Sequence, residues 1–210
     1  MLENIEVLYH NSIKINKGLT IYFDPFKINK EYMDADIIFV THSHYDHYSE
    51  EDIKKIKKED TQIVAPTDLL DNLLTIGFTK ENIILVNPNE KYNVKDITFK
   101  TIPAYNTNKN FHPKSNNWVG YLVTIDGITY YIAGDTDITE ENKEVKCDVA
   151  FVPIGGTYTM DYKEAAELIN IIKPKIAVPT HYAAIIGTKE DGINFIKLLN
   201  SDIDYKLFIK

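Results

Sequence analysis

The chain has 210 residues, a formal net charge of −8 and no arginine among its 23 basic residues. This length accommodates one full hydrophobic core, so we expect residues 1–210 to form a single domain. The acidic balance argues against the clustered cations that nucleic-acid binding requires, and we therefore expect a small-molecule substrate and no nucleic-acid partner.

Cysteine content and the N-terminal sequence bear on the compartment. Cys147 is the only cysteine, which precludes an internal disulfide and favours a reducing environment and a structural role for this thiol. Residues 1–6 contain no cationic or long apolar segment, and no run approaches the roughly 18 apolar residues of a membrane span. We expect a cytoplasmic protein with no membrane partner.

The first part of the chain predicts short strands separated by Asn-Lys-Gly and Asp-Pro turn signals. These strands are Ile5–Tyr9, Ser12–Ile15, Leu19–Phe23 and Ile37–Val40. The last of them leads directly into residues 41–47, Thr-His-Ser-His-Tyr-Asp-His, which contain three of the six histidines. Because imidazole and carboxylate are ligands of zinc-like ions in hydrolytic sites, this loop predicts a metal site.

The middle of the chain predicts a helix after the metal loop and then mixed elements. Ser49 is a good N-cap, and the acids that follow it suit a helix N-terminus. The next predicted elements are a strand at Ile63–Ala65, a helix at Thr67–Ile76 and strands at Ile83–Val86, Ile97–Ile102, Trp118–Ile125 and Ile128–Ile132. Asp126-Gly127 predicts a hairpin turn between the last two strands.

The C-terminal third alternates strands and helices. A capping box, Asp161 with Glu164, predicts a helix that continues to Ile172. The other predicted elements are strands at Val149–Pro153, Ile176–Val178 and Tyr205–Ile209 and a helix at Glu190–Leu199. A strand-rich first half followed by this alternation indicates an α/β fold with two mixed sheets and helices outside them.

Two further motifs follow strand-like runs, Gly134-Asp135-Thr136 and Pro179-Thr180-His181. Together with the His-x-His-x-Asp-His loop, and in this order, they resemble the metallo-β-lactamase superfamily. The segments around His10 and from Pro153 to Asp161 are similar to the branch of small metal-dependent hydrolases related to ascorbate-6-phosphate lactonase. The resemblance implies an αββα sandwich with its site at the edge between the sheets.

The resemblance also implies two divalent metal ions, expected to be Zn²⁺, with Mn²⁺ or Fe²⁺ as alternatives. His42 and His44 would bind one ion, Asp46, His47 and His181 the other, and Asp135 would bridge them. Such a pair of ions holds a shared hydroxide as the nucleophile. Asp46 is the candidate to orient that hydroxide and to carry a proton to the leaving group, with pure metal ligation as the equal alternative.

One motif departs from the pattern. Related hydrolases place a histidine where this chain has Asn106, and the remaining histidine is His112, six residues further on. Because an amide oxygen is a poorer ligand than imidazole for a zinc-like ion, we expect His112 to complete the first metal site. The alternative is that His112 is a surface-loop residue.

Five residues are predicted to contact the substrate: three follow the Gly-Gly pair, where the backbone can approach a ligand closely, or lie beside His181, and the other two are placed near the site by the resemblance. These residues are His10, Asn106, Tyr158, Thr159 and Tyr182. A plain packing role is the alternative for His10.

The sequence therefore predicts a metal-dependent hydrolase that uses a metal-bound hydroxide on a small ester, lactone or phosphoester. Three alternatives stay open: a nuclease or phosphodiesterase on the same fold, a diiron oxidoreductase, and a non-catalytic metal-binding domain. The diiron enzymes usually carry an acidic residue where this chain has His44.

Overall fold

The apolar segments form strands of two mixed sheets in the computed structural model, which describes residues 1–209. The first sheet follows chain order: β1 (Ile5–Tyr9), β2 (Ser12–Lys17), β3 (Leu19–Phe23), β4 (Ala35–Phe39), β5 (Lys57–Pro66) and β6 (Ile83–Val86). Strands β1 to β3 pair antiparallel, and β3 to β6 pair parallel. The carboxyl ends of β3, β4 and β5 therefore meet at one edge.

The second sheet has the same arrangement, with antiparallel strands first and parallel strands after them. Its strands are β7 (Lys91–Val94), β8 (Ile97–Pro103), β9 (Val119–Ile125), β10 (Ile128–Ile132), β11 (Val149–Pro153), β12 (Ile176–Thr180) and β13 (Asp204–Tyr205), paired in that order. Strands β7 to β10 are antiparallel, and β10 to β13 are parallel. The carboxyl ends of β10, β11 and β12 thus form a second common edge.

Five α-helices cover the outer faces of the sheets. They are α1 (Glu50–Ile56), α2 (Leu70–Thr75), α3 (Glu140–Lys143), α4 (Tyr162–Ile172) and α5 (Lys189–Lys197). One apolar cluster joins α1 and α2 to the first sheet, and another joins α4 and α5 to the second. This layering is the predicted αββα sandwich. None of the helices within residues 1–209 is long and apolar enough to cross a membrane.

Aromatic side chains fill the space between the two sheets. Phe39 stacks on Phe23 at 4.8 Å between ring centroids and meets Phe99 and Tyr121 edge-on at 5.1 and 4.9 Å. All four are essentially inaccessible to solvent, and burying each such side chain contributes about 1.5–3 kcal/mol. The Tyr121 hydroxyl also donates to the carbonyl of Val40 at 2.6 Å, which holds the second sheet against the start of the metal loop.

Several predicted boundaries were wrong. The closing strand ends at Tyr205 rather than Ile209, because only Ile176 and Ala177 of β12 pair with it. The predicted helix at Thr67–Ile76 begins as a 3-10 turn, Thr67–Leu69. Strand β7 and helix α3 were missed, since the first is a mostly polar edge strand and the second a single capped turn without an apolar period.

Candidate metal centre

The metal loop starts as an extension of β4 and then turns. The backbone N–H and side-chain hydroxyl of Thr41 both donate to Asp24, which fixes the strand end. The backbone N–H groups of His47 and Tyr48 donate to the carbonyl of His44 at 3.0 and 2.8 Å, which closes a tight turn. An extended segment followed by a turn brings His42, His44 and His47 to one side.

A first cluster of donors comprises His42, His44 and His112, whose ligand atoms lie within 4.8 Å of one another. His42 Nε2 is 3.1 Å from His44 Nδ1. His112 is 1% exposed, and its Nε2 points inward, 3.3 Å from Asp135 Oδ2. The structure thus brings His112 to the place where the sequence predicts a third ligand, and the surface-loop alternative for His112 is not what the structure contains.

A second cluster surrounds Asp46. Its Oδ2 lies 3.6 Å from His181 Nε2 and 3.7 Å from His47 Nε2, so the three predicted ligands are together. His10 Nε2 is closer still, 3.3 Å from the same oxygen but without hydrogen-bond geometry, and its ring centroid lies 3.7 Å from that of His181. His10 therefore belongs to this cluster as a fourth candidate donor.

Asp135 lies between the two clusters. Its Oδ1 is 3.2 Å from His47 Nε2, and its Oδ2 is 3.1 Å from His181 Nε2. Because Oδ2 also faces His112, one buried carboxylate is within reach of both clusters. This is the position that a bridging ligand requires.

The donors fit a divalent metal ion. Several buried atoms within residues 1–209 lack hydrogen-bond partners, namely His10 Nδ1 and Nε2, His47 Nε2, His112 Nε2, Asp135 Oδ1 and His181 Nδ1 and Nε2. An unsatisfied buried polar atom costs about 1–3 kcal/mol, so a cluster of them in one place is unfavourable unless a ligand satisfies it. Imidazole nitrogens and carboxylate oxygens are the donors that zinc-like ions prefer.

Burial and charge act in opposite directions on these groups. Burial lowers the pKa of His42 well below its usual value and that of His10 to about 4, which keeps both rings neutral, as metal ligands must be. Burial also lowers the pKa of His47, but the Asp135 and Asp24 carboxylates outweigh it and hold that pKa well above its usual value. Burial raises the pKa of Asp135, but neighbouring histidines, His181 and His47 first, lower it well below its usual range. Positive charge is therefore strongly favoured beside Asp135.

Polar residues behind the ligands orient them, and the sequence did not reveal these roles. Asp24 Oδ2 accepts a hydrogen bond from His47 Nδ1 at 2.7 Å, which leaves Nε2 for a metal. Asn106 Oδ1 lies 3.2 Å from His112 Nδ1 and orients that ring in the same way. The signal for Asp24 was its place after β3, parallel to and beside the strand that carries the metal loop.

A hydrogen-bonded junction fixes His181 at the end of β12. Its φ is 58°, a left-handed conformation, and its N–H donates to the carbonyl of His10 at 3.1 Å. The hydroxyl of Thr180 donates to Asn11 Oδ1 at 2.7 Å. Gly155 packs so closely against the His181 carbonyl that an added Cβ would collide with it. The β1–β2 turn and the end of β12 therefore hold each other in place.

The metal clusters open into a cavity of about 230 Å³. It is lined by His44, Tyr45, Asp46, Phe111, His112, Asp135, Tyr158 and Ile185. Of the five residues predicted to contact substrate, only Tyr158 is in this lining.

The other four predicted contacts need correction. Thr159 is fully buried and its hydroxyl donates to the Met160 carbonyl, while the hydroxyl of buried Tyr182 donates to the Ile209 carbonyl. The loop that holds both residues is closed by the Gly156 N–H, which donates to the Met160 carbonyl at 3.0 Å, and within it Thr159 lies inside while Tyr158 lines the cavity. Asn106 braces the loop around His112, and His10 lies among the candidate ligands.

Comparison with known proteins identifies the family. A beta-lactamase superfamily domain matches residues 4–181. A UPF0173 metal-dependent hydrolase of Saccharolobus solfataricus is 33% identical over 204 residues, covering 94% of this chain and 86% of the relative. The chain belongs to this family of metal-dependent hydrolases.

Solved structures agree on the fold of this hydrolase. A protein of Parabacteroides distasonis described as a metal-dependent hydrolase is 30% identical, with a TM-score of 0.83 over 98% of this chain and 93% of that one. CmlA, a diiron beta-hydroxylase from Streptomyces venezuelae, has a TM-score of 0.68 at 14% identity and covers 94% of this chain and 47% of that one. The shared fold alone therefore does not separate hydrolysis from oxidation, and it is the relatives in the UPF0173 family, named metal-dependent hydrolases, that support hydrolysis.

Proposed function

We propose that this metal-dependent hydrolase holds two divalent ions, Zn²⁺ in the first instance, and cleaves a small ester, lactone or phosphoester. The observation that carries the proposal is the pair of donor clusters on either side of Asp135, opening into one cavity. When bound, the ions would acidify a water molecule and polarise the scissile bond.

The position of each residue indicates which ion it would bind. His42, His44 and His112 would hold one ion, and His47 and His181 with Asp46 the other. Asp135, which faces both clusters, would fix their separation.

Asp46 is the proposed proton carrier. It lines the cavity, and its side chain is 13% exposed while those of His47 and His181 are at most 1% exposed. A leaving group in the cavity can therefore reach the Asp46 carboxylate, which would first accept a proton from the attacking water and then pass that proton to the leaving group.

The test combines metal analysis with a substrate panel. Protein loaded with zinc, manganese or iron is analysed for metal content and assayed against carboxylic esters, lactones and phosphoesters. We expect about two ions per chain and turnover in at least one class. Asp135→Ala and His47→Ala should lower kcat by several orders of magnitude, whereas Asp71→Asn, on the exposed face of α2, should not. Protein that stays metal-free after loading would refute the proposal.

A further inference from the structure

The cavity has two chemically different parts. Four of its eight lining residues are candidate metal ligands, and the other four, Tyr45, Phe111, Tyr158 and Ile185, are aromatic or aliphatic. These four, which we call the apolar rim, are 67%, 47%, 36% and 39% exposed. Single exposed apolar residues are ordinary, but a group of them around the mouth of a polar cavity indicates a ligand with an apolar part.

The apolar rim is held in place rather than loose. Phe111 and Tyr158 meet edge to face at 4.7 Å between ring centroids. Asn106 joins their two loops, because its Nδ2 donates to the Tyr158 carbonyl at 2.9 Å and its Oδ1 accepts from the Phe111 N–H at 3.2 Å. On the other side, Tyr45 packs edge-on against the largely buried Phe26. A fixed apolar surface loses little entropy when a substrate binds.

The charges around the cavity disfavour an anionic group on the part of the substrate that does not react. No lysine within residues 1–209 lines it, and its two carboxylates are Asp46 and Asp135. Two lysines in the neighbouring loop form ion pairs outside the cavity: Lys109 with Asp137 at 2.7 Å, and Lys114 with Glu141 at 2.8 Å. An anionic group away from the reacting bond would lose its hydration and gain no cationic partner here.

We propose that the substrate is a neutral carboxylic ester or lactone whose acyl part carries an aromatic or short aliphatic group, seated between Tyr45 and the Phe111–Tyr158 pair. This inference rests on the proposed hydrolysis and narrows it to carboxylic esters and lactones with an uncharged acyl part, which leaves dicarboxylate half-esters outside the preferred substrates. The cavity holds the volume of roughly eight water molecules at about 30 Å³ each, enough for one ring with a short linker.

The first experiment compares two esters with the same scissile group. Methyl 3-phenylpropanoate carries a phenyl ring where monomethyl succinate carries a carboxylate. We expect kcat/KM of the zinc-loaded enzyme to be at least about tenfold higher for the phenyl ester, from burial of the ring against the apolar rim. Equal values, or a preference for the succinate ester or for phenyl phosphate, would overturn the inference.

Variants assign the preference to the rim. Phe111→Ala should lower the phenyl-to-succinate ratio of kcat/KM about tenfold, whereas Leu198→Ala, equally exposed at 46% but remote from the cavity lining, should leave the ratio unchanged. Ile185→Lys should raise kcat/KM for monomethyl succinate, a gain that a merely destabilised protein cannot produce. An unchanged ratio in Phe111→Ala together with no gain in Ile185→Lys would refute the role of the rim.

A binding measurement separates this inference from the proposed reaction. The probes are 4-phenylbutan-2-one and levulinate, ketones that match the two esters and cannot be hydrolysed. Trp118, the only tryptophan, lies 4.8 Å from the His44 ring and reports on the site by its fluorescence. Saturable binding of the phenyl ketone without binding of levulinate would support the role of the apolar rim. If the same protein hydrolyses none of the substrate panel, the proposed hydrolysis would be refuted while the role of the rim stands. No binding of the phenyl ketone would refute the rim itself.

Discussion

His47 can offer only one ring nitrogen to a metal ion, because Asp24 holds the other. Asp24 is fully buried and also accepts hydrogen bonds from Asn11 Nδ2 and from the backbone and hydroxyl of Thr41. A buried carboxylate with these donors is fixed in one orientation and so fixes the histidine ring.

Asp24→Asn should therefore weaken zinc binding by about 10–100-fold, because the amide loses the negative charge and half of the acceptor capacity that hold His47. Competition with a chelator of known affinity measures the effect. Asp71→Asn, at an exposed position of α2, is the matched control. Equal zinc affinities in the two variants would show that Asp24 does not position the ligand.

His112→Ala should remove about one ion per chain while the cluster around Asp46 stays occupied, since the first cluster would keep only His42 and His44. Asn106→Ala should lower the affinity for that ion about tenfold, because His112 Nδ1 loses its hydrogen-bond acceptor. Metal content after gel filtration gives the result, with the exposed Asn108→Ala as control. Two ions retained in His112→Ala would contradict the assignment.

Cys147 is not expected to react in the native state. Burial raises its pKa from 9.0 to about 12, so at pH 8 the thiolate is on the order of a thousandfold rarer than in the unfolded chain. Alkylation by iodoacetamide should therefore be slow in buffer and fast in guanidinium. Equal rates in the two solvents would show that the thiol is accessible and ionised in the folded protein.

At the scale of elements, the ligands lie just beyond strand ends. His42 follows β4, Asp135 follows β10 and His181 follows β12, all of them in or beside the parallel parts of the sheets. Apolar runs predicted these strands well because most residues of these strands are buried. Strand β7 escaped prediction because it has only four residues, of which Lys91 and Asn93 are polar and exposed.

Gly155 lies in close contact with the residue that follows β12, His181. A Cβ there would collide with the His181 carbonyl and lie 2.6 Å from Ile186 Cγ2. Gly155→Ala should therefore destabilise the fold by about 3 kcal/mol, measured by denaturant unfolding. Gly18→Ala is the control, because its added Cβ meets open space and only its φ of 72° costs about 1 kcal/mol. Equal losses in the two variants would mean that the β11 loop can shift away from His181.

At the scale of the whole molecule, each donor cluster draws on both sheets. The metal loop and His10 come from the first sheet, and His112, Asp135 and His181 come from the second. A bound ion therefore joins the two halves of the sandwich, as the aromatic core between the sheets does.

Zinc should consequently raise the melting temperature. At a free concentration about 1,000 times its Kd, an ion that binds only the folded state adds about 4 kcal/mol, which corresponds to a shift on the order of 10 °C for a chain of this size. Thermal melts with zinc and with excess chelator measure the shift, and His181→Ala should show a smaller one. Identical melting temperatures with and without zinc would contradict a site that spans both sheets.

Local sequence patterns were enough to predict the metal loop and the order of the ligand motifs, and the family resemblance added the αββα class. His42, His44, Asp46 and His47 are neighbours in the chain, so their convergence needs only a strand end and a turn. The strands that precede Asp135 and His181 are predicted by their apolar runs, which reflect burial in the core.

The packing of the two sheets, and no local pattern, shows which distant side chains complete the site. Asp24 lies 23 residues from the ring it orients, and Thr180 lies 169 residues from Asn11, with which it bonds. No local pattern encodes such pairs, because the approach depends on how the two sheets pack. The same packing turned Thr159 and Tyr182 into the interior and gathered Tyr45, Phe111, Tyr158 and Ile185 from four separate loops around one cavity.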